Sequence, residues 1–270
     1  MNNFLENDLN DVYYNRFAEV WASGDIYADP SGWRDTEASV ADLLPTIDVD
    51  RAALGRYYLD EGDTLGGLKD QIRSLLENWE QQPLHNNEFT LYNSVSTATN
   101  AVLIALRRLG AAAAIFQTPA YGVTINQAKQ VGYAVTLVPT YYKDGFSSPI
   151  EAYANSGEYR ALTWLTQPRM SLGFDQDPQF IAGLLESMAE RDYLVIDEAT
   201  EQHYPSLLRS LHEHQKSDQV IRIRGLLKPL GLNGLRVAAI LHSRALRDHL
   251  EKHTGHSRRI SRSVQSSDGR

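Results

Sequence analysis

An α/β domain built on a mostly parallel sheet, with helices covering both faces, is the fold class this sequence predicts. Three observations point to it. From about residue 66 to residue 223, short apolar runs alternate with stretches of helical spacing, the pattern of βαβ units. Hydrophobic residues make up 42% of the 270, enough to bury a sizeable core. Internal repeats and low-complexity segments are missing, which removes solenoids and fibrous architectures.

The elements follow in order. Residues 1–50 are acidic and aromatic-rich with weak periodicity, and read as an N-terminal arm. Gly67 to Gln81 carries Leu68, Ile72, Leu75, Leu76 and Trp79 at helical spacing. Ser96 or Thr97 is the expected N-cap of the next helix, which runs through Ala101, Val102, Ile104, Ala105 and Leu109 to a stop at Gly110. Ala111–Phe116 is a short apolar run of buried-strand type, Val123–Gln130 a helix, and Tyr133–Pro139 and Ala161–Leu165 two further strands. Asp177-Pro178 combines a capping aspartate with proline at the first helical position, and the helix continues through Phe180, Ile181, Leu184, Leu185 and Met188. Tyr193–Ile196 reads as a strand, Ser206–His214 as a helix and Val220–Ile223 as a strand. Residues 251–270 are basic and polar, a solvated tail.

Composition excludes several functions. Lys and Arg number 26 against 34 Asp and Glu, a net charge of −8. That disfavours a general binder of nucleic acid or anionic membrane, which needs a basic surface. There is no cysteine, so thiolate nucleophiles, Fe–S clusters, Cys-ligated zinc and disulfides are out, and no metal site is expected. The N-terminus has neither the basic nor the apolar region of a signal peptide, and the apolar run from Ala111 is too short to span a bilayer. A cytoplasmic protein is the expectation.

Ligands of parallel sheets bind beyond the carboxyl ends of the strands, so polar residues just after each strand carry the functional reading. Asp197 closes the apolar run Tyr193–Ile196. Lys228 lies in the glycine-punctuated loop Ile223-Arg-Gly-Leu-Leu-Lys-Pro-Leu-Gly-Leu-Asn-Gly-Leu-Arg236. A lysine desolvated in such a loop becomes a competent amine nucleophile, and Arg236 can bind a phosphate bidentately. Thr97, Ala98 and Thr99 sit at a helix start, where free N–H groups attract anions. Tyr121, in Pro119-Ala-Tyr-Gly122, can stack on a flat ring. Each alone has an ordinary explanation: a helix cap, a surface lysine, a packed loop tyrosine. Together they describe one ligand, pyridoxal 5′-phosphate (PLP): a phosphate, a flat ring, a protonatable ring nitrogen and an aldehyde for a lysine Schiff base.

The same ordered motifs resemble the class I/II aminotransferases, the aspartate-aminotransferase-like PLP enzymes of fold type I, from about Tyr57 to Leu241. Tyr57-Tyr-Leu-Asp-Glu-Gly62 with Leu68-Lys69, Thr97-Ala-Thr99, Tyr121, Asp197-Glu-Ala199 and Lys228…Gly231…Gly234-Leu-Arg236 stand in the family's order. The resemblance implies a three-layer α/β/α large domain of the PLP-dependent transferase type. It also implies transamination between an amino acid and a 2-oxo acid, and a homodimer in which Tyr57 reaches the neighbouring subunit's phosphate. The catalytic pair it implies is Lys228 and Asp197. Thr97, Ala98, Thr99, Tyr121, Thr200 and Arg236 would join them around the cofactor. Three positions depart from the family pattern: Met170 replaces an asparagine and Thr200 a tyrosine near the cofactor's phenolic oxygen, and Gly225 replaces a serine near the phosphate. These keep open a PLP-dependent lyase or oxidase of a specialised biosynthetic pathway, or a PLP-binding fragment without turnover. A nicotinamide-binding protein is the weakest rival, because no strand leads into a G-x-G-x-x-G turn. The expected organisation is an arm over 1–50, a PLP-binding large domain over 51–250, and over 251–270 a tail or the start of a truncated small domain.

Overall fold

The computed structural model describes residues 63–81, 83–84, 88–155, 157–170, 172, 174–200, 218–226 and 236–251. Their centre is a seven-stranded sheet: β1 (Phe89–Tyr92), β2 (Ala111–Thr118), β3 (Ala134–Pro139), β4 (Arg160–Thr166), β5 (Tyr193–Glu198), β6 (Val220–Gly225) and β7 (Ala238–Leu241). The order is β1-β7-β6-β5-β4-β2-β3. Five strands from β3 to β6 run parallel, while β7 lies antiparallel to both β6 and β1. The expected parallel sheet therefore has one reversed strand, and β1 points the same way as β5.

The helices are α1 (Asp63–Glu80), α2 (Val95–Arg108), α3 (Gly122–Val131), α4 (Pro178–Ser187) and α5 (Arg244–Glu251). Residues of α2, α3 and α5 pack with Phe116, Trp164, Val195, Ile223 and Ile240 on one face of the sheet. On the other face, Ile181 and Leu184 of α4 meet Ile115, Leu165 and Ile196, and Leu76 and Trp79 of α1 meet Phe89 and Leu241. Helices on both faces give the three layers that the alternating pattern predicted. Strand β5 is buried along its whole length, as a central parallel strand must be.

Most elements match the sequence reading with ends moved by one to three residues. The cap of α2 is a correction. It is Ser94, in extended backbone at φ −171°, and its Oγ accepts the Thr97 N–H at 3.1 Å, so neither Ser96 nor Thr97 is the cap. Gly110 does follow the end of α2, at φ 96°; that left-handed backbone suits glycine because it has no Cβ. Asp177 caps α4, accepting the Gln179 N–H at 2.9 Å, with Pro178 at the first helical position. Strands β1 and β7, helix α5 and two 3₁₀ turns at Tyr142–Asp144 and Ile150–Tyr153 had no sequence-level counterpart. The expected arm over 1–50 and the helix Ser206–His214 lie outside the described residues, as does the tail beyond Glu251. No helix among the described residues is long and apolar enough to cross a membrane.

Candidate active site

Side chains alternate along a strand, and Val195 of β5 belongs to the α2 side of the sheet. Asp197, two residues on, therefore shares the face of α2, whereas Glu198 points to the face of α1 and α4. Helix α2 begins three residues after β1, and β1 runs with β5. The N-terminus of α2 consequently lies at the same carboxyl edge as Asp197. The chain leaves β2 for Tyr121 at this edge, and Arg236 enters β7 here, two residues before Ala238 pairs with Gly225 at the end of β6.

Asp197 is 4% exposed. Its Oδ1 accepts the Ala199 N–H at 3.0 Å, and its backbone oxygen accepts the Gln167 N–H at 2.8 Å. The carboxylate is thus held at a strand end by the turn that follows it, flanked in the sheet by Thr166 and Ile223.

At the start of α2, Thr97 Oγ1 lies 2.7 Å from Ser94 Oγ, and the Ala98 N–H donates to the Ser94 oxygen at 3.0 Å. The Ala98 N–H is therefore already a helical bond, a consequence of the helix starting earlier than expected. The N–H groups that a helix leaves open at its start are the ones before its first internal bonds, which moves the anion-attracting end toward Val95 and Ser96. Thr97 is exposed and Thr99 buried. Tyr121 is 41% exposed and stands at the cap of α3. Arg236 is exposed at φ 44°, a left-handed backbone that is uncommon outside glycine. Thr200 is half-buried, three residues beyond Asp197. Lys228 and Tyr57, with Gly231 and Gly234, lie outside the described residues.

The three family departures have local settings. Met170 is half-buried in the loop after β4. Thr200 follows the tight Asp197–Ala199 turn. At Gly225, a Cβ would stand 2.5 Å from the Ala199 backbone oxygen, closer than any side chain permits, so at this backbone spacing the position excludes a serine.

Two polar groups of residues were not anticipated. One is a chain of glutamines bracing the loop that carries Met170. Gln176 Nε2 donates to Gln117 Oε1 at 2.6 Å and to the Thr166 oxygen at 3.1 Å, while Gln167 Oε1 accepts the Gln176 N–H at 2.8 Å. The other is a buried ion cluster behind Asp197. Arg222 Nε and Nη2 donate to the two Glu198 oxygens at 2.9 Å each, and Nη1 and Nη2 donate to those of Glu80 at 2.9 and 3.1 Å. Arg224 approaches the same carboxylates at 3.7 and 3.6 Å and lies 5.8 Å from the Trp79 ring centroid. Burial alone would lower the Arg222 pKa, but the Glu198 and Glu80 carboxylates hold it above its ordinary value. The available signal was Arg222 and Arg224 alternating with apolar Ile221 and Ile223, which by itself reads as a solvated strand face.

The chemistry of the edge fits the cofactor that the sequence implies. A phosphate is suited to the open end of α2 and a guanidinium, and a ring N–H to a buried carboxylate. No cluster of three metal-ligating side chains occurs among the described residues.

A model of the family described as aminotransferase class I and II matches residues 61–266. A histidinol-phosphate aminotransferase of Deinococcus radiodurans is 27% identical over 163 residues, 58% of this chain and 44% of that relative. The chain thus spans less than half the length of that curated relative. Among solved structures, an aspartate aminotransferase from Thermotoga maritima superposes with a TM-score of 0.66 at 16% identity, over 94% of this chain and 68% of that one. A histidinol-phosphate aminotransferase from Sinorhizobium meliloti in complex with pyridoxal-5′-phosphate gives 0.56 at 17% identity, over 68% of this chain and 50% of that one. At these identities the likeness establishes the fold.

Proposed function

This chain belongs to the aminotransferase class I and II family, and from that premise we propose that it binds PLP and moves an amino group between an amino acid and a 2-oxo acid. The observation that carries the reading is the buried Asp197 carboxylate, on the face and edge of the sheet where α2 begins. When bound, PLP supplies an electron sink for the pair left as the substrate Cα–H bond breaks. The chain's own residues do the rest. Asp197 accepts the ring N–H and keeps that nitrogen protonated; its fixed charge acts where positive charge must persist. Lys228 supplies the amine that holds the cofactor, then carries the proton from Cα. The start of α2 and Arg236 grip the phosphate, with Thr97 and Thr99 beside them. Tyr121 covers the ring, Thr200 borders it, and Tyr57 reaches the phosphate of a second subunit in a homodimer. Residues 51–250 form the cofactor-binding domain, and the enzyme works in the cytoplasm.

Met170 favours a second reading. A thioether cannot donate a hydrogen bond, so Met170 would offer the ring's phenolic oxygen no donor at the position where the family resemblance implies an asparagine, and the same machinery would suit a lyase or oxidase. One experiment separates the two. The PLP-loaded protein is mixed with single amino acids, its visible band is followed, and the products are analysed. Bleaching with stoichiometric 2-oxo acid and pyridoxamine phosphate supports transamination. Ammonia release or oxygen consumption supports the alternative, and a band that no amino acid changes contradicts both.

A further inference from the structure

The two residues that end β5 point to opposite faces, and each carries a carboxylate. Glu198 faces the cluster of Glu80, Arg222 and Arg224, all of them at most 1% exposed. Glu80 is the last residue of α1, Glu198 the last of β5, and Arg222 and Arg224 lie on β6 beside Ile196 and Glu198. Arg222 makes four short bonds that join α1 to both strands. The two arginines and two glutamates balance in charge.

Stability is a poor explanation for this cluster. Taking charges out of water costs about what their attraction returns, and apolar residues of similar volume commonly serve as well. The neighbours on this side are Leu76, Trp79, Phe89, Leu226 and Leu241, a wall that an apolar side chain would extend. What four directional bonds to one planar guanidinium add is geometry. They set the height and rotation of the β5 end against α1, and the residue rotated with Glu198 is Asp197. The Asp197 carboxylate accepts the Ala199 N–H of its own turn, and its backbone oxygen accepts the Gln167 N–H.

We propose that Arg222 is a positioning residue: by clamping Glu198 to Glu80 it fixes the end of β5 and so aims the Asp197 carboxylate at the cofactor. The proposal rests on the reading of Asp197 as the ring-nitrogen partner. Arg222 sits on the face away from Asp197 and acts only through Glu198. A charged group that must meet one ring atom needs its support held to about 0.5 Å, which a clamp achieves and a loose apolar contact does not.

The test uses the full chain with and without PLP. The double variant E80M/R222M removes one charge of each sign and leaves Glu198 with Arg224, so the buried charge stays balanced. R222K keeps the charge but not the fork. Apo melting temperature, PLP affinity by titration, and the visible absorbance and circular dichroism of the bound cofactor are measured beside Asp197→Ala. The expected result is an E80M/R222M chain that melts within a few degrees of the parent. It should bind PLP about 10- to 100-fold more weakly, the order seen when groups behind directly contacting ligands are removed, with reduced visible dichroism. R222K should fall between parent and double variant. Parent-like affinity and dichroism in a folded E80M/R222M chain, while Asp197→Ala alters both, would overturn the proposal and leave the Asp197 reading standing. If Asp197→Ala alters neither, the Asp197 reading fails and takes the proposal with it. If E80M/R222M and R222K both fail to fold, the cluster is a folding element only, which also overturns it.

Discussion

Asp197 and Glu198 are adjacent in sequence, equally buried, and of the same chemistry, yet the molecule treats them differently. Glu198 is locked between two guanidinium groups on the face packed by α1. Asp197 accepts a backbone N–H from its own turn at the carboxyl edge, on the face where α2 begins. Strand alternation alone separates them, and burial does not distinguish a structural carboxylate from one addressed to a ligand. What distinguishes them is the face: Glu198 meets α1 and the two arginines, and Asp197 lies on the side where α2 begins, the side on which the proposed cofactor would sit.

The largest expected effect is at Asp197. Asp197→Ala should lower turnover of any amino acid the parent processes by at least about 100-fold, the scale of losing one fixed electrostatic partner. Its apo melting temperature should change far less. Steady-state kinetics and thermal melting check this together.

The next is at the partner of Glu198. Arg222→Ala leaves two carboxylates facing Arg224 alone and should cost about 3–5 kcal/mol of folding stability, read from urea denaturation of the apo chain. The contrast is the prediction: losing Asp197 removes chemistry, and losing Arg222 without compensation removes stability. Gly225→Ser sharpens the same picture at the neighbouring strand end. Restoring the family's serine should destabilise by about 1–3 kcal/mol, because the added Cβ meets the Ala199 oxygen and the strand must shift. A serine variant of parental stability would contradict the close packing of β6 on the Asp197 turn.

How much of this was legible is itself uneven. The Asp177-Pro178 helix start and the apolar runs of β2, β4 and β5 could be read directly, because propensity, capping and burial agree there. Strand β1 is four residues, Phe-Thr-Leu-Tyr, too short for a periodicity to emerge, and β7 is a four-residue apolar run, Ala-Ala-Ile-Leu, whose periodicity does not separate strand from helix. Helix α5 shows only Leu246 and Leu250 to the core, and apart from an exposed Ala245 the rest of it is polar. The α2 cap was ambiguous because Ser94, Ser96 and Thr97 are all capping residue types, and only backbone geometry selects Ser94. Asp197 was legible because a charge ending an apolar strand is costly. The Arg222 clamp was not, because Glu80 lies 142 residues away in sequence and no local pattern links them.

The smallest expected effect is at high pH, on the α2 side of the sheet. Tyr133 donates to the Leu103 oxygen at 2.7 Å, and burial pushes its phenol pKa well above 10.0. The raised pKa means the folded state keeps a proton that the unfolded chain releases. Stability from this group is therefore complete below the ordinary tyrosine value and is lost as pH climbs past it. Tyr133→Phe should be destabilised at pH 7 by about 0.5–1.5 kcal/mol through the lost bond, with a shallower decline above pH ~10. Denaturation curves at both pH values decide; equal alkaline slopes would mean another group dominates.

In the proposed enzyme the carboxyl edge around Asp197 holds PLP through Lys228. The most direct measurement is borohydride reduction of the PLP-loaded chain followed by peptide mapping. A single phosphopyridoxyl label on the lysine between Gly225 and Arg236 is the expected result. A label on any other lysine, or none after saturation with PLP, would contradict it.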